Sequence, residues 1–157
     1  MINAKTIKCF TMLYVGFTTY ITVEVLFRGY SFGLMGITGA ICFFIIQGLN
    51  NYISWDMDIL LQGILGSSVI TCFELIIGEI DKHILHVNMW DYSMMWNNFD
   101  GVICPLFSFL WVLVSILAII LGDAIDYYLL DEDQRPYYRF MKKIIFVMPE
   151  RPNKQQK

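Results

Sequence analysis

Glu24 and Glu74 each interrupt a long apolar run, and Asp91 lies in the aromatic connection "NMWDYSMMWNNFDGVICPLFSFLW", residues 88–111. A charged side chain at the centre of a bilayer costs about 2.5–3.5 kcal/mol, so a carboxylate kept there has a reason to stay. Three reasons are open. The acids form a polar binding or transport site, or Asp91 and Glu74 act as the acid–base pair of a hydrolase, or they are clamps that fix helix pairing. Arg28 follows Glu24 by four positions, the favourable order for an ion pair along a helix. Glu74 is expected to be protonated, to accept from hydroxyl or indole groups, or to share Arg28. The candidate binding residues are therefore Glu24, Arg28, Glu74, Trp90, Asp91, Tyr92, Ser93, Asn98, Ser108 and Trp111. No catalytic or metal-ligating residue is assigned. Serines are plentiful, but neither His83 nor His86 falls near them in the pattern, and the two histidines lack a third clear ligand.

These residues sit in a chain of 157 residues that is 57% hydrophobic and 16% charged. Soluble domains average about 25% charged residues, and a chain this short cannot hide so much apolar surface from water. The composition is that of an integral membrane protein. Four runs are long enough to cross a bilayer: about Cys9–Phe27, Phe32–Ile53, Ile59–Ile80 and Val102–Leu121, the last continuing as helix toward Leu130. Lys5 and Lys8 give the first run the look of a signal peptide. Glu24 inside the run, and the poor cleavage site in "FRGYSFG", favour a retained helix.

Nine of the eleven lysines and arginines lie in the two terminal segments, against Arg28 and Lys82 in the connections on the other side. By the positive-inside rule both termini are expected in the cytoplasm of a cell-membrane protein. Glu24 and Glu74 then lie in the outer half, Glu74 about 9 Å below the outer end of its helix at 1.5 Å per residue. The four cysteines are dispersed and read as small apolar filler.

Each run carries one stripe of small and polar residues, as helix packing in lipid requires. In the third these are Gly63, Ser67, Thr71, Glu74 and Gly78; in the fourth, Gly101, Cys104, Ser108, Trp111 and Ser115. The second offers Gly33, Gly36, Ala40 and Gln47, and the first Gly16, Tyr20 and Glu24. The four stripes are expected to face a common axis. The 88–101 connection is expected to be an ordered outer cap, its aromatics at headgroup level and Asp91 capping a turn. It should close a pocket holding Glu24, Arg28, Glu74 and Ser108. The segment "RPYYRFMKKIIFVMPERP" reads as an interfacial helix, followed by a disordered "KQQK". The expected fold is thus all-α: a polytopic bundle of four transmembrane helices over residues 1–130, with a cytoplasmic basic tail and interfacial C-terminal helix over 131–157.

"FELIIGEIDKHILHVNMWDYS" followed by "GVICPLFSFLW" resembles the small bacterial membrane proteins of the CmpB-like, type IV family of ABC-transporter permeases. The shared features are Glu74 sixteen residues before Trp90 of the WDYS sequence, then Asn98, Gly101, Ile103, Cys104, Ser108 and Trp111. "WDM" in "ISWDMDILLQ" and the later "RPYYRF" resemble the same group. The likeness runs from about Gly29 to Phe140. Departures are Trp96 where a proline is usual, Pro105-Leu106 in reversed order, Gly122-Asp123 for a pair of aspartates, and Asp126 for an arginine. The resemblance implies a four-span fold and a transport role.

The expected function is a permease-like binding or transport component without enzymatic activity, its substrate unidentified. The alternatives are a non-enzymatic partner or assembly protein and, ranked lower, an intramembrane hydrolase. The chain has no phosphate-cradling GxxxxGK[ST] sequence, so an ATPase would be a separate subunit. No cofactor is implied. The expected partners are the lipid bilayer and either that ATPase or another membrane protein, not nucleic acid.

Overall fold

The computed structural model describes residues 3–151, so the expected disorder of residues 154–157 lies outside the described residues. Four helices long and apolar enough to cross a membrane are present among them. Helix α1 spans Ala4–Arg28, α2 Gly33–Gln47, α3 Ile59–Ile80 and α4 Pro105–Tyr128. A 3₁₀ turn, Leu49–Asn51, lengthens α2, and a π turn, Asp81–Leu85, lengthens α3.

Local chemistry sets the ends. Gly29 takes a left-handed φ of 83° and returns its N–H to Val25, which stops α1. Asp58 caps α3 by accepting from the Leu60 amide at 3.0 Å. Pro105 opens α4 where its missing N–H costs nothing. The fourth helix therefore starts later than the expected Val102. Residues 102–104 are apolar, but Val102 and Ile103 turn back on Phe99 and belong to the cap.

Helix α1 packs along α2, α3 along α4, and α2 joins the two pairs. Much of the expected small-residue stripes forms these seams, but a Cβ at Gly33 would meet nothing within 4 Å, and Gly101 lies in the connection before α4. Gly16 abuts Gly39 and Ala40 of α2, and Gly39 in turn faces the Tyr20 ring. On α3, Gly63, Ser67, Glu74 and Gly78 are buried, facing Val112, Ile116, Ser108, Trp111 and Val102. Ile, Leu and Val on the opposite faces are exposed, as lipid contact requires. Apolar clusters fill the same end as the N-terminus: Met12 with Phe43 and Ile125, and Ile46 with Ile59, Ile119 and Tyr138.

One expectation is overturned. The basic tail is not an interfacial helix but an antiparallel hairpin, β1 (Tyr137–Phe140) and β2 (Lys143–Val147). Met141 and Lys142 both take left-handed φ, 48° and 65°, as a two-residue turn between twisted strands demands. The segment is rich in aromatic and β-branched residues, which suit strands, and Tyr138 stacks on Phe146 across the pair at 6.3 Å. The hairpin docks on the α2–α3 connection. The Met141 amide donates to Asp58 at 2.7 Å, Arg139 pairs with Asp56 at 2.6 Å, and the Trp55 and Tyr137 rings lie 6.0 Å apart.

A Cβ added at Gly66 would lie 2.6 Å from the Ser115 Cβ, and Ser115 is fully buried. Gly66→Ala should force α3 and α4 apart and lower the thermal midpoint in detergent, at about 1–3 kcal/mol for overpacking. Gly33→Ala, with nothing within 4 Å, should leave the midpoint nearly unchanged. Equal effects of the two substitutions would show that the α3–α4 seam is not close-packed.

Candidate functional site

The 86–104 connection carries no regular element, yet its backbone is tied at many points. Asp81, 4% exposed, is the anchor: its two carboxylate oxygens accept from the Val87 amide at 2.9 Å and the Met89 amide at 2.6 Å. The Trp90 indole donates to the Val102 carbonyl at 2.8 Å, and the Tyr92 amide to the Gly101 carbonyl at 2.8 Å. Asp91 accepts from the Ser93 amide at 2.8 Å, the turn-capping role expected of it. That bond holds its carboxyl below the usual range. Asn98 closes the turn, its amide donating to the Ser93 and Met95 carbonyls while its oxygen accepts from the Gly101 amide. Lys82 pairs with Asp100 at 2.5 Å and holds that carboxyl low as well. Met94 and Trp96 project outward, almost fully exposed.

Under this cap lies Glu74, 9% exposed on the inward face of α3. Its Oε2 accepts from the Trp111 indole at 2.8 Å and its Oε1 from the Tyr92 hydroxyl at 3.2 Å. Phe107 lies between the two donors, stacked on Tyr92 at 4.6 Å and tilted against Trp111 at 6.3 Å. The aromatic row thus aims one O–H and one N–H at a single carboxylate. Both donors are neutral, and each carboxylate oxygen keeps accepting capacity. Burial and the neighbouring Glu74 charge push the Tyr92 hydroxyl well above its ordinary value, so it stays a donor. Tyr20 of α1 lies within electrostatic reach of Glu74, Glu24 and Arg28.

Arg28 is committed elsewhere. Its Nη2 pairs with Glu24 at 2.7 Å, its Nη1 donates to the Met89 carbonyl at 2.5 Å, and Ser31 also donates to Glu24 at 2.8 Å. The pair bolts the α1–α2 turn to the cap. Ser108 belongs to a third group: its carbonyl accepts from Ser67 at 2.6 Å and its hydroxyl from Thr71 at 3.2 Å. The expected single pocket is therefore divided. Among the described residues no hydrogen bond or ion pair joins Glu74 to Glu24, Arg28 or Ser108, because each already has nearer partners. Tyr20 and Asp81 were not singled out as site residues. Tyr20 stands on the α1 stripe, but nothing in the local sequence marks Asp81 as the cap's anchor.

The ligand atoms of Glu79, His83 and Asp100 also come within 4.8 Å of one another at the surface. Lys82 already pairs with Asp100, and His83 with Glu79 at 3.2 Å.

Four apolar helices, close-packed small-residue seams and a buried acid under an aromatic cap define a multi-pass helical membrane protein. The family model described as "Putative ABC-transporter type IV" (CmpB) matches residues 8–148, most of the chain, and the chain belongs to that family. It is thus a transport-related membrane protein. No curated protein and no solved structure gives a significant match.

Asp81→Ala would leave the Met89 amide, and with it Val87, without an acceptor, a loss of about 1–3 kcal/mol for a buried donor. Amide hydrogen exchange across 86–92 should then quicken while α1–α4 keep their helical circular dichroism. Unchanged exchange would mean that other contacts hold the cap.

Proposed function

We propose that the protein is a permease-like binding or transport component whose polar site is centred on Glu74. The observation that carries this reading is a buried carboxylate, well inside a transmembrane helix, held by two neutral donors and no cation. Such a group is costly in a bilayer, and a cationic or hydrogen-bond-donating ligand would find its free acceptor capacity unopposed. The cap covers Glu74, so access requires Tyr92 to release its bond and the cap to lift. Trp90, Asp91, Ser93 and Asn98 act through the cap's shape; Tyr92 and Trp111 meet the carboxylate directly. Glu24 and Arg28 hold the cap to α1 and α2, and Ser108 holds α4 to α3.

The nine-to-two distribution of basic residues supports a cytoplasmic placement of both termini, with the cap outside. The hairpin and the short α2–α3 connection then face the cytoplasm, where a separate ATPase subunit would dock if the protein works as an ABC permease. Membership of the "Putative ABC-transporter type IV" family supports a non-enzymatic role.

Purified wild-type protein, released from detergent in a native mass spectrometer, is expected to carry a bound small molecule, and Glu74→Gln to lose it at an unchanged thermal midpoint. If Glu74→Gln instead lowers the midpoint and bound mass is missing from both proteins, Glu74 is a structural clamp. In a cysteine-free background, a thiol placed at Asn97 should label from outside the cell and one at Gln155 should not. The reverse pattern would invert the topology.

A further inference from the structure

At the opposite end of the bundle from Glu74, a second polar group borders a half-open cleft of about 80 Å³, whose lining includes Lys8, Gln47, Asn50, Asp123, Asp126 and Glu132. Helices α1, α2 and α4 contribute to it, and Pro136 closes one side. Gln47 and Asn50 are 4% and 8% exposed, and Asp123 is 4% exposed.

The orientation of the amides is settled by their nitrogens. Gln47 Nε2 donates to the Phe44 carbonyl at 3.1 Å, and Asn50 Nδ2 donates to Asp123 Oδ2 at 2.9 Å. That leaves Gln47 Oε1 and Asn50 Oδ1 as buried acceptors without a partner, together with Asp126 Oδ1. All three bare atoms are oxygens, two of them on residues more than nine-tenths buried. A buried polar atom without a partner costs about 1–3 kcal/mol. Three such oxygens, themselves closed off from water but on residues that all border one cleft, call for a shared donor or small cation. Gln47 is held in place by a glycine: its Cβ presses on Gly122 of α4, where any side chain would collide with it.

The charges agree. Lys8 bridges Asp126 at 2.9 Å and Glu132 at 3.2 Å, and Glu132, half exposed, is solvated. Asp123 has only neutral partners, the Asn50 amide and the Tyr138 hydroxyl at 3.0 Å. With Asp123 and Asp126 both ionised, the buried balance would be two carboxylates against one ammonium, an excess of one negative charge that a cation or a proton must offset. Oxygen donors of the amide and carboxylate type suit hard cations. Three bare oxygens and a single excess charge are too few for calcium, which takes 6–8 oxygens. The space beside these oxygens exceeds the roughly 10–15 Å³ that a single water needs, so a bound ion could keep water ligands.

We infer that this cleft is a binding site for a small monovalent metal cation of the sodium class, held by Gln47 Oε1, Asn50 Oδ1 and Asp126 Oδ1 and neutralising Asp123. The site stands apart from the Glu74 group and does not depend on the role proposed for it. A cation there would bridge α2 and α4 at the point where the hairpin docks through Tyr138, so its binding would tighten three elements together.

The test uses the full chain in detergent. The thermal midpoint is followed while sodium chloride replaces choline chloride at constant ionic strength and fixed pH. A saturable rise in midpoint with sodium is expected, absent with choline. Gln47→Leu, which keeps the bulk but removes the oxygen, should weaken the apparent sodium affinity at least tenfold. Glu74→Gln should leave it unchanged, which separates this site from the one at the other end. A midpoint that is indifferent to sodium but shifts with pH in choline would overturn the proposal, since a proton would then neutralise Asp123. If Gln47→Leu does not fold, sodium NMR decides: wild-type protein should broaden the sodium resonance reversibly, and no broadening above a protein-free blank overturns the inference.

Discussion

A bilayer core offers no water to a polar group, so every donor and acceptor carried into it must find its partner inside the chain. The rest of this structure follows from that constraint. In the middle of the bundle the answer is to carry few polar groups and to let helix backbones approach: Gly63 and Gly66 of α3 meet Ile116 and Ser115, and Ser67 donates to the Ser108 carbonyl at 2.6 Å. The buried carboxylates Glu74, Asp81 and Asp123 lie toward the two ends, each with hydrogen-bond donors from the chain around it.

The two ends meet the requirement differently. At the cap end the partners are local to α3, α4 and their connection: Asp81 holds the chain that follows it, and Trp111 and Tyr92 converge on Glu74. Arg28 and Glu24 then staple the α1–α2 turn onto the same cap through the Met89 carbonyl. At the other end the partners come from far apart in sequence. Lys8 reaches Asp126 and Glu132, Asn50 reaches Asp123, and the Tyr138 hydroxyl reaches the same carboxylate. The hairpin is the closing element there. It brings "RPYYRF" against "WDMD", so two segments separated by some eighty residues form one contact through Asp56–Arg139 and Asp58–Met141.

The 74–111 segment is a structural unit in its own right. That segment contains the acid, both of its donors and the loop that positions one of them. Trp111 can donate only if α4 enters the bundle with its N-terminal turn at Pro105, and Tyr92 only if Asn98 and Asp91 fold the loop back on Gly101. The chemistry of the site is therefore a property of the α3–cap–α4 unit as a whole.

Much was legible without coordinates. Hydrophobicity and length located four spans, and the third was placed at its observed bounds, because transfer into lipid depends on local composition alone. The three- and four-residue steps of Gly63, Ser67, Thr71, Glu74 and Gly78 marked the inward face of α3, all but the half-buried Thr71 being buried, because helical periodicity is also local. The Glu24–Arg28 pair and the Asp91 turn were legible for the same reason: their partners lie within four residues. What the sequence could not decide was which distant partner each polar group takes. Glu74 was open to a proton, to neutral donors or to a share of Arg28, and only the tertiary packing gives it Trp111 and Tyr92 while Arg28 stays with Glu24. The hairpin was misread as a helix because its basic and apolar residues suit either period, and the docking contacts with Asp56 and Asp58 that favour strands lie far away in the chain. Asp81 gave no local sign of its role, and the cleft around Gln47, Asn50 and Asp126 exists only where four elements meet. Local burial and periodicity are written residue by residue; the pairing of polar groups is settled only by how the helices are assembled.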